Sequence, residues 1–223
     1  MLFILEFVAT VINGLAAKDA IFTVDTGMCC VWAARYIDGT GERKMLGSFN
    51  HGSMANAMPQ AIGAAFARPG KQVIAFCGDG GLSMMMGDLM TIVQYKLPVK
   101  IIVFNNRSLG MVKLEMEVAG IPDRETDMLN PDFTRIAEAI GMPGITISDP
   151  GDVKSGLEKA LLLEGPVLVT ILTDPNALAM PPKLEFDQMK GLTLYMGKMI
   201  LSGRMDEVFK IISSNYKHLG EVL

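Results

Sequence analysis

The chain has 223 residues, 50% hydrophobic and 20% charged, a balance that excludes a disordered protein and suits one large or two small globular domains. A net charge of −4 at pH 7, without any run of Lys or Arg, excludes a surface built to displace counterions from nucleic-acid phosphates. The three cysteines, Cys29, Cys30 and Cys77, have neither the pattern of a disulfide framework nor metal-ligand spacing, which fits a reducing cytoplasm.

In chain order, the opening MLFILEFVATVINGLAAKDA lacks a basic leader region and carries Glu6. Its apolar residues recur at Ile4, Val8, Val11, Ile12 and Leu15, so it reads as a helix packed on a sheet rather than a signal peptide. No run of about 18 uncharged apolar residues follows that would span a bilayer. The strands then read as AIFTVD, KMLGSF, QVIAFC, VKIIVF, GITIS and PVLVTILT, with helices expected over roughly 54–67, 83–95, 131–140 and 151–163. This alternation predicts an α/β fold: a mostly parallel sheet of about six strands, helices on both faces and a C-terminal helical tail. After Asp174 the pattern becomes Pro-broken, and an amphipathic segment runs from about 187 to the end. Two regions are therefore expected, an α/β domain over 1–182 and an extension over 183–223.

The stretch CGDGGLSMMMGDLMTIVQYKLPVKIIVFNN is fenced by a carboxylate among glycines and by two asparagines. QVIAFC ends at a sheet edge, GDGG turns, a helix returns and VKIIVF climbs back to that edge. A helix of about 13 residues descends about 20 Å, and a strand of about six residues ascends about the same height. Asp79 and Asn106 should thus stand side by side at the carboxyl ends of neighbouring parallel strands, where open α/β sheets bind ligands. A carboxylate, an amide oxygen and a loop carbonyl near Ser108 are hard donors suited to octahedral Mg²⁺ that shares phosphate oxygens. Gly78, Gly80 and Gly81 let backbone approach those phosphates at the start of the 83–95 helix. Read alone, GDG and NN are also ordinary turn chemistry.

GDG closed by NN at this spacing resembles the fingerprint of the thiamin-diphosphate (ThDP) enzymes. Within them the chain most resembles pyruvate oxidase, particularly the quinone-linked form also called pyruvate dehydrogenase (quinone), through DAIFTVDTG, VWAARYI, LGSFNHGSMANAMPQAIGA, LPVKIIVFNN and KGLTLYMGKMILSGRMDEV. The resemblance covers that family's C-terminal, diphosphate-binding domain. It implies Asp79, Asn106 and the carbonyl of Ser108 as Mg²⁺ ligands, and Gly78, Gly80 and Gly81 as diphosphate neighbours. Thr26 and Gly27 in DTGMCC match a second diphosphate loop, although Met28, Cys29 and Cys30 stand where polar residues are usual. Met54 alone would read as core methionine; the resemblance makes it the residue that props ThDP in its V conformation, flanked by His51, Gly52 and Ser53. His51 alone reads as a loop histidine bonded to backbone, or as an acid or base. Leu109, Gly110 and Met111 continue the implied cofactor contacts.

The resemblance further implies that the activating Glu comes from an aminopyrimidine domain and that FAD binds a further domain, so this chain carries no catalytic residue of its own. Glu115 and Glu117 read as members of a solvated helix or loop, and Glu6 belongs to the first helix. The intact enzyme would decarboxylate pyruvate to acetate and CO₂, with electrons passing through FAD to quinone. The alternatives are an acetolactate synthase or related decarboxylase domain, and a non-catalytic Mg²⁺-diphosphate module. Homo-oligomers are expected from the apolar surface that partner domains would cover. In the tail, Met205, Val208, Phe209, Ile212, Tyr216 and Leu219 fall on one helical face. That face either docks on its own domain or meets lipid at the inner face of the membrane.

Overall fold

The computed structural model describes the backbone of residues 5–177 and 186–222, and the side chains of 6–177 and 187–215. In chain order the elements are α1 (Leu5–Leu15), β1 (Ile21–Val24), α2 (Met28–Tyr36), β2 (Lys44–Gly47), α3 (Ala57–Ala67) and β3 (Val73–Gly78). Next come α4 (Asp79–Met84), a 3₁₀ turn (Met86–Asp88), α5 (Leu89–Gln94), β4 (Val99–Asn105), α6 (Gly110–Val118) and α7 (Phe133–Ala139). The remainder are β5 (Gly144–Ile147), a 3₁₀ turn (Pro150–Asp152), α8 (Val153–Leu162), β6 (Val167–Leu172), α9 (Phe186–Leu201) and α10 (Met205–Val222). The described residues fall into two compact units, Met1–Arg107 with Leu129–Thr173, and Ser108–Met128 with Asp174–Leu223. The expected boundary between residues 182 and 183 lies outside the described residues.

The first unit is the α/β body, with a six-stranded sheet in the order β2-β1-β3-β4-β6-β5. Its strand pairs are all parallel. The central strands β3 and β4 are buried nearly throughout, as continuous apolar runs in a sheet covered on both faces must be. Strand alternation sends Val73, Ala75, Cys77, Val99, Ile101 and Val103 into one core with residues of α3, α5 and α7. The intervening positions carry an aromatic row, Phe22, Phe76 and Phe104, whose rings meet edge to face at 5.8 and 5.2 Å. The edge strands β2 and β5 are half-exposed.

All six expected strands are present, and the departures concern helices. The expected 83–95 helix begins at Asp79 instead and breaks around Met86–Asp88, where Gly87 offers little resistance to the tighter turn. DTGMCC is a turn only as far as Gly27, after which α2 starts at Met28. Expected helix 54–67 starts at Ala57, and the residues before it are loop.

The second unit is helical. Leu114 of α6, Leu192, Tyr195 and Met199 of α9, and Val208 and Ile211 of α10 form its core. A side chain on Gly191 would overlap the Val118 carbonyl, so α9 approaches the end of α6 by virtue of that glycine. The tail is therefore two helices rather than one amphipathic run, divided at Gly203 with φ +80°. The buried line of α10 is Val208, Ile211 and Asn215, whereas Met205, Phe209 and Ile212 are exposed. The expected apolar face is thus split, and the side chains of Tyr216 and Leu219 lie outside the described residues. Among the described residues no helix is long and apolar enough to cross a membrane.

Glu117 corrects another expectation, because it is fully buried instead of solvated. Its carboxylate lies in a cluster with Lys113, Asp123 and Tyr195, and neither oxygen has a hydrogen-bond partner of good geometry. Asp123 accepts from Tyr195 Oη at 3.1 Å and pairs with Arg204 at 3.5 Å and Lys113 at 3.9 Å. Burial pushes the Glu117 carboxyl up to about 7; Lys113 opposes this, and Asp123 reinforces it.

Candidate functional site

Parallel pairing aligns Gly78 of β3 with Phe104 of β4, so the residues that follow each strand emerge together at the carboxyl edge of the sheet. Asp79 and Asn106 therefore leave neighbouring strand ends, as their spacing predicts. Asp79 is 3% exposed, and its two oxygens have different environments. Oδ1 accepts from the Gly80 N–H at 2.9 Å. Oδ2 accepts from the Arg107 N–H and from Asn130 Nδ2, each at 2.7 Å. Arg107 adopts φ +55°, a left-handed conformation uncommon for a residue with a Cβ. Burial raises the Asp79 carboxyl above the usual range, against the hydrogen bonds from Asn130, Gly80 and Arg107.

A second buried carboxylate, Asp25, lies where β1 ends. It accepts from the Ala57 N–H at 2.8 Å and the Gly78 N–H at 3.2 Å, tying the ends of β1 and β3 to the start of α3. A Cβ on Gly81 would overlap the Asp25 carboxylate, so the glycine in GDGG lets α4 close on it. Burial pushes the Asp25 carboxyl up to about 6, opposed by the N–H groups of Ala57, Gly78 and Asn56.

The two loops singled out in the sequence also meet in this unit. Gly27 has φ +152°, in a region essentially reserved for glycine. A Cβ on Gly52 would lie 4.0 Å from Thr26 Cγ2, which places the loop of His51, Gly52, Ser53 and Met54 beside the DTG turn. His51, Gly52 and Ser53 are exposed and Met54 is half-buried in a turn, outside the apolar core that takes Met58. Ala55 follows with φ 62°, an uncommon conformation for a residue with a Cβ.

In the second unit, Ser108 is buried and bridges to Asp127, and the Leu109 N–H bonds to the Thr126 carbonyl at 2.8 Å. Leu109 precedes α6, which starts at Gly110 and Met111.

Sequence reasoning missed Asp25 and Asn130. Asp25 carried the same signal as Asp79, an acidic residue at a strand end before a glycine turn. Asn130 carried none, because only the fold brings it to Asp79.

The donors present fit a hard divalent cation. Asp79 is a buried carboxylate with no ion-pair partner among the described residues, a state that favours neutralisation by a bound cation. Its Oδ1 keeps accepting capacity, and the buried Oδ1 of Asn130 has no hydrogen-bond partner. Residues 25–171 match the model of the thiamine pyrophosphate enzyme C-terminal TPP binding domain. The chain belongs to this family. It is 36% identical over 193 residues to the "Putative thiamine pyrophosphate-containing protein YdaP" of Bacillus subtilis (strain 168), covering 86% of this chain and 33% of that protein. It is 37% identical to a "Probable acetolactate synthase large subunit" of Methanocaldococcus jannaschii and 35% identical to the acetolactate synthase large subunit of Porphyra purpurea. Each of these matches covers 74% of this chain and 28% of the relative. The chain thus spans about a third of the length of these relatives. Their names carry thiamine pyrophosphate and acetolactate synthase rather than pyruvate oxidase, so these matches support the family and not that finer resemblance.

Proposed function

We propose that this chain is the diphosphate- and Mg²⁺-holding portion of a ThDP enzyme that acts on a 2-oxo acid, with acetolactate synthase as the better-supported class. The observation that carries the reading is Asp79: buried, without a cationic partner, and oriented so that one oxygen remains available beside the strand end that bears Asn106. Asp79 and Asn106 hold the cation through side-chain oxygens, and the Ser108 carbonyl is the third ligand that the resemblance implies. Asp25 keeps the turns at Gly78 and Ala57 in register. Backbone at Gly27, Gly78, Gly80 and Gly81 approaches the diphosphate, and Thr26, His51, Gly52, Ser53 and Met54 border the cofactor; Leu109, Gly110 and Met111 are assigned to it by resemblance alone. ThDP, when bound, supplies the electron sink for decarboxylation. The names of the acetolactate synthases support that class. The pyruvate oxidase reading, with its FAD and quinone, rests on the five stretches that resemble that enzyme, of which the terminal KGLTLYMGKMILSGRMDEV is the one that sets it apart from acetolactate synthase. Assaying the product of the complete reading frame on pyruvate separates the two, as acetolactate or as acetate.

The cofactor assignment is tested on the chain itself. ThDP should raise the melting temperature only when Mg²⁺ is present, by linkage to the native state. Asp79→Ala should abolish that shift while leaving a cooperative transition. An unchanged response in the variant sinks the assignment.

A further inference from the structure

Both hydrogens of the Asn130 amide are engaged within the first unit. Nδ2 donates to Asp79 Oδ2 at 2.7 Å and to Asn105 Oδ1 at 2.9 Å. The orientation of the amide follows from its partners: turned over, its oxygen would face two acceptors. Asn105 is the last residue of β4 and is 5% exposed, and its carbonyl accepts from the Thr173 N–H at 3.0 Å. Asn130 therefore ties the Asp79 carboxylate to a residue fixed in the sheet. Asp79 Oδ2 already has two donors and Oδ1 only one, so this arrangement decides which oxygen remains for a ligand and at what angle.

Angle matters differently to different cations. Mg²⁺ demands near-ideal octahedral geometry, whereas Ca²⁺ takes six to eight oxygens in flexible arrangements. A carboxylate that could rotate would still serve Ca²⁺ and would serve Mg²⁺ poorly. We infer that Asn130 is a positioning residue for cation selectivity, which holds Asp79 Oδ1 in the pose that a small octahedral cation requires. The inference rests on the proposed metal role of Asp79, on which Asn130 acts through its Nδ2.

The test uses the full 223-residue chain, stripped of metal by chelation and then titrated with Mg²⁺ or Ca²⁺ at fixed ThDP. The readout is the cation concentration that gives half of the ThDP-dependent rise in melting temperature. Asn130→Ala should raise the Mg²⁺ half-point about tenfold, the scale on which outer-shell partners act, and raise the Ca²⁺ half-point by clearly less. The preference for Mg²⁺ over Ca²⁺ then falls, which general damage to the fold would not produce. Equal shifts for both cations, or no shift in either, overturn the inference. Should Asn130→Ala lack a cooperative transition, Asn130→Ser keeps a turn-forming residue too short to reach both oxygens, and its half-points are read in the same way. Asp79→Ala run in parallel separates the two levels. A normal Mg²⁺ response there refutes the metal site and the inference with it; loss of response there with an unaltered cation preference in the Asn130 variants refutes the inference alone.

Discussion

Two glycines of the GDGG turn meet opposite surroundings. A Cβ on Gly81 would strike the Asp25 carboxylate, while one on Gly78 would meet nothing within 4 Å. Gly78 also has φ −73°, which any residue adopts. Gly81→Ala should therefore lower stability by about 1–3 kcal/mol, as overpacking does. Gly78→Ala should melt within about 0.5 kcal/mol of the parent yet weaken the Mg²⁺-dependent ThDP response, because under the proposed function the open space its methyl fills is where the diphosphate approaches. Thermal melts with and without ligand check both, and an undiminished response in Gly78→Ala removes that residue from the phosphate path. Asp79 and Asn106 were legible because strand ends can be counted along a chain, whereas Asn130 acts on Asp79 across 51 positions and carries no local pattern. Glu117 was misread for a related reason, since a Lys and a Glu one helical turn apart look the same in solvent and in a core. Its carboxyl is raised from 4.5 to about 7 by burial among Lys113, Asp123 and Tyr195. The stability it contributes is present below pH 4.5 and is lost as pH rises through about 7. Glu117→Gln should thus stabilise the protein at pH 8 by about 3 kcal/mol and change little near pH 4.5, flattening the pH profile of the melting temperature. Equal destabilisation at both pH values would show that the carboxylate is needed charged.

At the level of elements, the strands were readable and the helices less so. VIAFC and VKIIVF are apolar because both faces of a central parallel strand are covered, a constraint that leaves little choice of residue. The helix after GDGG obeys a different constraint. Its first turn carries Asp79, bonded to Asn130, and Gly81, closed on Asp25, and its second half packs Leu89 and Ile92 into the core, so the break at Met86–Asp88 reconciles the two. Periodicity over 83–95 cannot reveal such a junction, because each half keeps its own apolar phase. The tail shows the same limit: apolar spacing located α10 but not the rotation that buries Val208 and Ile211 and leaves Phe209 out. Two substitutions distinguish the buried line from the exposed one. Val208→Asp places an unpaired charge among Leu192, Tyr195 and Met199 and should lower stability by about 3 kcal/mol or more. Phe209→Asp, 62% exposed, should change it by no more than about 0.5 kcal/mol. Denaturant midpoints measure both, and an equally large loss at Phe209 would restore the face expected from spacing, which held both residues.

For the molecule as a whole, the decisive quantity is the share of a ThDP enzyme that this chain represents. It spans 33% of one relative and 28% of two others, and under the proposed function it holds one end of a cofactor with side-chain oxygens and closely approaching backbone. Among the described residues the buried acids are already committed: Asp25 to the N–H groups of Ala57 and Gly78, Asp79 to the proposed cation, and Glu117 to the core of the second unit. Glu115 is exposed on α6. Activation of ThDP needs a further carboxylate against the aminopyrimidine, and the resemblance assigns that carboxylate to another domain. The 223-residue chain alone, loaded with ThDP and Mg²⁺, should therefore release CO₂ from pyruvate no faster than free ThDP with Mg²⁺. It should nevertheless show the Mg²⁺-dependent melting shift, so that silence cannot be ascribed to an empty site. Turnover above the free-cofactor rate that disappears in Asp79→Ala would overturn this division of labour, because a contaminating enzyme would not respond to the substitution and the activating group would have to lie within the chain.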